Sequence, residues 1–114
     1  MARLPSDITQ TIALLKQRLL DIIDDATAAE FQLFERFGET VETMVPLNDL
    51  RDIAEQATTR FSQFSTLQLR VAQSQPIASD DLLQFLNEKI TIAQNRIPPL
   101  ERSIEEIKQD WSLS

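Results

Sequence analysis

Carboxylates are the only side chains in this chain whose spacing invites a chemical reading. Asp21, Asp24 and Asp25 stand together in the stretch DIIDD, with Glu30 beyond them. On a helix the three aspartates share one face and repel one another modestly. A divalent cation such as Mg²⁺ or Ca²⁺ would relieve that repulsion. No ligating loop accompanies them, the sequence brings no second carboxylate cluster to their side (Glu101, Glu105 and Glu106 read as a wet helix face), and an amphipathic helix needs a solvated acidic face in any case. The expectation is therefore no metal and no cofactor.

Other chemistry is scarcer still. The chain has no histidine and no cysteine, so the most adaptable acid–base group and the best soft nucleophile are both missing. The Glu-x-x-His pattern of di-iron bundles cannot occur, nor can a disulfide or a zinc–thiolate site. One glycine, Gly38, cannot make a phosphate-cradling loop. No catalytic residue is expected, and the chain reads as a non-enzyme.

Partner chemistry is bounded by charge. A net charge of −7 opposes nucleic acid and anionic membranes. The basic residues are scattered, with no stripe of interleaved aromatics. No run approaches the ~20 apolar residues that would span a bilayer, and MARLPSDIT lacks a signal-peptide core. A cytoplasmic location is the default expectation.

The segment FQLFERF, residues 31–37, is the strongest candidate for a binding surface. Phe31, Leu33, Phe34 and Phe37 spread around most of a helix circumference. A small bundle can bury two or three of them, which leaves an aromatic exposed for a partner. Phe31, Phe34 and Phe37 are the candidate contact residues.

The elements that would position them follow from apolar spacing. Ile8, Ile12, Leu15, Leu19, Ile22, Ala26, Ala29, Leu33 and Phe37 recur in steps of three and four. Ser6 and Asp7 suit the start of that helix and Gly38 its end. Val41 and Met44 continue the spacing, so helix could resume after Gly38 and reach Pro46. A second stripe follows Pro46 and Asn48: Leu50, Ile53, Ala57, Phe61, Phe64, Leu67 and Val71, closed by Pro76. A third starts at Ser79 and runs through Leu83, Leu86, Ile90, Ala93, Ile97, Leu100, Ile104 and Ile107 to Trp111. The predicted helices span about 6–37, 48–74 and 80–111, with connections at 38–47 and 74–79.

Pro98 and Pro99 interrupt the third stripe without shifting its phase. Each removes a hydrogen bond, and its ring opposes the carbonyl four residues back. A free loop has no reason to preserve the 3–4 spacing, and three rods of similar length bury one another end to end. The expected fold is an all-α, antiparallel three-helix bundle of long helices, a single domain over residues 1–114. Its third helix kinks at Pro98–Pro99. The alternative is a four-helix bundle with a turn at 95–98. Apolar residues off the seam (Leu14, Leu20, Ile23, Leu69, Leu82, Phe85, Ile92) are expected largely to supply second contact faces.

The functional expectation is a small acidic helical module for protein–protein interaction: an adaptor, assembly factor or regulator. Its partner would be itself, as a homodimer or higher oligomer, or another protein. The alternative is a bundle that binds a small apolar ligand or a divalent cation.

Overall fold

The computed structural model describes residues 6–74 and 77–114. Three helices form, α1 (Ser6–Phe37), α2 (Val41–Gln73) and α3 (Asp80–Asp110). At 1.5 Å per residue each is roughly 46–50 Å long, and the molecule measures 56 × 19 × 17 Å. Contacts along the rods set their directions. Lys16 Nζ donates to Gln68 Oε1 and Arg51 pairs with Glu30, so α1 and α2 run antiparallel. Arg18 pairs with Glu101, and Arg36 Nη1 donates to the Ser112 carbonyl, so α1 and α3 run parallel. The chain is an all-α three-helix bundle.

The heptad stripes are the core. Ile12, Leu15, Leu19, Ile22, Ala26, Ala29 and Leu33 are the buried residues of α1. In α3 they are Leu86, Ile90, Ala93, Ile97, Leu100 and Ile104. Leu67 and Val71 are buried in α2 while Leu69 between them is exposed, as helical spacing requires. At mid-bundle, Ala26 and Ala57 lie at the same level by the register of the Lys16–Gln68 and Arg51–Glu30 contacts. With no side chain beyond Cβ, they let the two backbones approach.

The first interhelical connection is shorter than expected. α2 begins at Val41 rather than near residue 48, so only residues 38–40 join it to α1. Gly38 takes φ +71°, the left-handed conformation that glycine enters without a Cβ penalty. Its N–H still reaches the Phe34 carbonyl at 2.8 Å. Thr40 then caps α2 reciprocally with Thr43. The Thr43 N–H donates to Thr40 Oγ1 at 3.2 Å, and the Thr40 N–H donates to Thr43 Oγ1 at 2.8 Å. Thr43 Oγ1 in turn donates to the Gly38 carbonyl at 2.8 Å, which accounts for a hydroxyl on a residue only 1% exposed.

Pro46 lies inside α2 rather than ahead of it. It removes the bond to the carbonyl of Glu42, an exposed residue in the first turn. Helix does resume after Gly38, but Val41 and Met44 do not extend the core. They are exposed, and Thr43, Pro46 and Leu47 are buried instead. The register of α2 comes from Leu50 and Ile53, and counting back from these reaches 47, 46 and 43. Ser6 is the first residue of α1 rather than the residue before it. The expected closure of α2 by Pro76 lies outside the described residues.

α3 runs unbroken through Pro98 and Pro99, and no turn forms at 95–98. Both prolines stand away from the buried stripe, Pro98 exposed and Pro99 half-buried. The carbonyls they deprive belong to Gln94 and Asn95, both exposed. Water can satisfy those groups, so the helix tolerates the loss. Weakened bonds on the outer side also permit the curvature by which long helices follow their neighbours. Ser79 caps the helix start, its Oγ accepting from the Leu82 N–H at 3.1 Å. At the other end Ser112 adopts φ +54°, and the Leu113 N–H closes onto the Lys108 carbonyl at 2.8 Å. That is a Schellman-type stop built without glycine.

The expected second contact faces are largely absent. Leu14, Leu20, Leu69, Phe85 and Ile92 are exposed, and only Ile23 and Leu82 pack partly against the core. The seam is narrow because small residues let the rods close. Long polar side chains then shut its flanks, as Lys16, Arg18 and Arg51 do.

Two consequences are measurable by urea unfolding. Pro98→Ala/Pro99→Ala restores two outer-face hydrogen bonds and removes two ring clashes. Part of that gain is offset by a freer unfolded chain. Stability should rise by about 1–3 kcal/mol, read as a higher midpoint at unchanged slope. A lower midpoint would mean that α3 needs the prolines to stay on its neighbours. Thr43→Val keeps the shape but strands the Thr40 N–H and the Gly38 carbonyl. It should cost about 1–3 kcal/mol without loss of helical signal.

Candidate functional site

The aromatic end of α1 is more open than its sequence suggests. Of the four apolar residues in FQLFERF, only Leu33 is buried; Phe31, Phe34 and Phe37 are 64%, 50% and 45% exposed. Leu33 occupies the seam position, and the phenylalanines lie off it. Phe34 lies on the flank toward α2 and Phe31 further round on the outer side of α1. With Thr27, Glu30 and Arg51 they line a shallow groove of about 360 Å³. The Arg51–Glu30 ion pair spans that groove from α2 to α1.

Phe37 goes elsewhere. Its ring meets Trp111 edge-on, with centroids 5.1 Å apart and planes at 64°. This contact ties the end of α1 to the end of α3, beside the bond from Arg36 to the Ser112 carbonyl. The candidate trio therefore divides into a pair at a groove and one residue of the bundle's end. Three further apolar residues, Val41, Met44 and Val45, are exposed just past the Gly38–Thr40 turn. Sequence reasoning assigned two of them to a continuing stripe. The Thr40-x-x-Thr43 cap was the signal that would have set the register correctly.

The aspartates are dispersed among ordinary contacts. Asp21 Oδ1 accepts from Gln17 Nε2 at 3.0 Å, and Asp25 Oδ1 lies 3.9 Å from Lys108 Nζ. Among the described residues no three His, Cys, Asp or Glu side chains gather as a metal site.

A second surface feature had no sequence signal. An open groove of about 510 Å³ lies between α2 and α3, lined by Gln56, Arg60, Gln63, Lys89 and Ile92 among others. It adjoins a recess of about 490 Å³ that reaches Arg70 and Phe85 and shares Thr59, Gln63 and Lys89 with it. Lys89 Nζ sits 5.1 Å from the Phe85 ring centroid, a cation–π arrangement. The Arg60 Nε is buried without a hydrogen-bond partner. Burial first, then the positive charge of Arg96, holds the Arg60 guanidinium below its usual pKa. Arg96 itself donates to Gln56 Oε1 at 3.0 Å. Arg60 and Arg70 stand on α2 and Lys89 and Arg96 on α3, so only the fold gathers them.

Comparison with family models, with curated proteins and with solved structures finds no match to this chain. Among the described residues no helix is long and apolar enough to cross a membrane.

Trp111 is the sole tryptophan and reports on the end contact directly. Phe37→Ala should shift its emission to the red and raise its quenching by acrylamide while the helical signal stays unchanged. An unaltered spectrum would mean that the Phe37 ring does not shield the indole.

Proposed function

We propose that this protein is a non-catalytic helical interaction module whose outer α1 surface, centred on Phe31 and Phe34, receives another protein. The observation that carries the reading is their exposure in a bundle already closed by its seam. Large aromatics with no role in the core are costly to leave in water, and apolar patches of this kind are used for association. The groove beside them adds shape, and the Arg51–Glu30 pair at its edge supplies polar groups for orientation. Absence of both histidine and cysteine supports the non-catalytic part of the reading. The partner is a second copy of the chain, another protein, or both.

Phe31→Ser/Phe34→Ser tests the reading. Both residues lie outside the core, so the double variant should keep its helical signal and lose less than about 1 kcal/mol of stability. A partner captured by the wild-type protein from a native lysate should be lost by the variant. Retention of that same partner would overturn the assignment of this surface.

A further inference from the structure

We propose that the outer face of α1 docks into the α2–α3 groove of a second copy of this chain. The inference rests on the interaction-module reading and names the partner of that surface.

The two surfaces complement each other in charge. Between Leu19 and Glu35, α1 carries Asp21, Asp24, Asp25, Glu30 and Glu35 and no lysine or arginine. Glu30 is engaged with Arg51 and Asp25 lies beside Lys108. Asp21, Asp24 and Glu35 are exposed and make no ion pair among the described residues. The groove is mixed but gathers more cations than carboxylates, with Asp52 and Glu55 confined to one end. Arg60, Arg70 and Lys89 line it and make no ion pair among the described residues either. Arg60 is desolvated, with a buried Nε that lacks an acceptor. In a protein of net charge −7, these unneutralised cations share one groove while unneutralised carboxylates share one helix face. Carboxylates brought to the groove satisfy both sets.

Shape and apolar content agree. On α1, Leu20, Asp24, Phe31 and Glu35 share the side opposite the buried stripe, and Leu20 and Phe31 are exposed there. From Leu20 to Glu35 is roughly 22 Å of helix, and the groove runs along α2 from Asp52 to Arg70, roughly 27 Å. Phe85 and Ile92, both exposed, provide apolar contact within it. A helix laid between two others is ordinary ridge-into-groove packing and makes a local four-helix arrangement. Asp52 and Glu55 line one end of the groove. They repel an acidic helix there and shift it toward Arg70 and Lys89, which fixes the axial position.

Donor face and acceptor groove are different surfaces, so the contact is heterologous. Each added copy leaves one free face and one free groove, and assembly continues unless a ring closes. The association is electrostatic and partly exposed, so salt weakens it.

The test is mass in solution, by light scattering and sedimentation, on the full chain. Wild-type protein should grow in mass with concentration at low salt and shrink toward monomer as salt rises. Asp21→Lys/Asp24→Lys and Arg70→Glu/Lys89→Glu should each be monomeric alone with wild-type helical signal. Mixing the two should restore assembly, because the reversed face then meets the reversed groove and the two native surfaces meet as well. Should the groove reversal unfold, Arg70→Gln/Lys89→Gln should still associate roughly five- to tenfold more weakly than wild type. A wild-type protein that stays monomeric, a face variant that assembles like wild type, or a mixture that stays monomeric would each overturn the inference. A monomeric wild type that still captures a lysate partner through Phe31 and Phe34 would overturn this docking mode alone and leave the module reading standing.

Discussion

Close approach of α1 and α2 along an apolar seam, with α3 laid less tightly against both, is the constraint on which the rest of this molecule depends. Ala26, Ala29, Ala57 and Ala93 are buried on that seam. Side chains this small bring helix axes together, and close axes leave little room for a second layer of apolar residues. The larger seam residues, such as Leu19 and Phe64, fill the levels between. Everything off the stripe is then forced outward. Leu20 and Phe31 stand opposite the buried stripe and meet solvent for that reason, while Leu14 and Phe34 are exposed on its flanks.

Backbone accounting decides where the rods begin, end and survive a proline. The turn between α1 and α2 needs three residues because Gly38 takes a left-handed conformation and Thr43 satisfies two backbone groups with one hydroxyl. Pro46, Pro98 and Pro99 remain inside helices for a shared reason. The carbonyls they leave without donors belong to exposed residues, where water replaces the missing N–H. The prolines of α3 would be far more damaging one position earlier, with a ring in the seam at residue 97.

The surface that results is divided by sign. Most cations near the α1–α2 and α1–α3 seams are spent on closing those seams, as Arg18, Arg51 and Lys108 show. Arg60, Arg70 and Lys89 instead line the α2–α3 groove, with Asp52 and Glu55 at one end, while the outer side of α1 keeps its carboxylates and aromatics.

Helix type, helix number and most of the core were legible in the residue spacing, though Phe37 left the core and Thr43, Pro46 and Leu47 joined it unannounced. A 3–4 period that persists over thirty residues can bury one face only as helix, and the phase kept across Pro98–Pro99 correctly favoured continued helix over the alternative of a turn at 95–98. The start of α2 was legible in principle through Thr40-x-x-Thr43 but was obscured by Pro46, since a proline six positions into a helix looks like a boundary until its unpaired carbonyl is seen in solvent. What spacing could not reveal was how tightly the rods close, which is set by packing between helices distant in sequence. Tertiary structure alone therefore decided that Phe31 and Phe34 pair at a groove while Phe37 turns to Trp111. It alone gathered Arg60, Arg70 and Lys89, because side chains on two antiparallel helices become neighbours only when a third helix holds those helices in register.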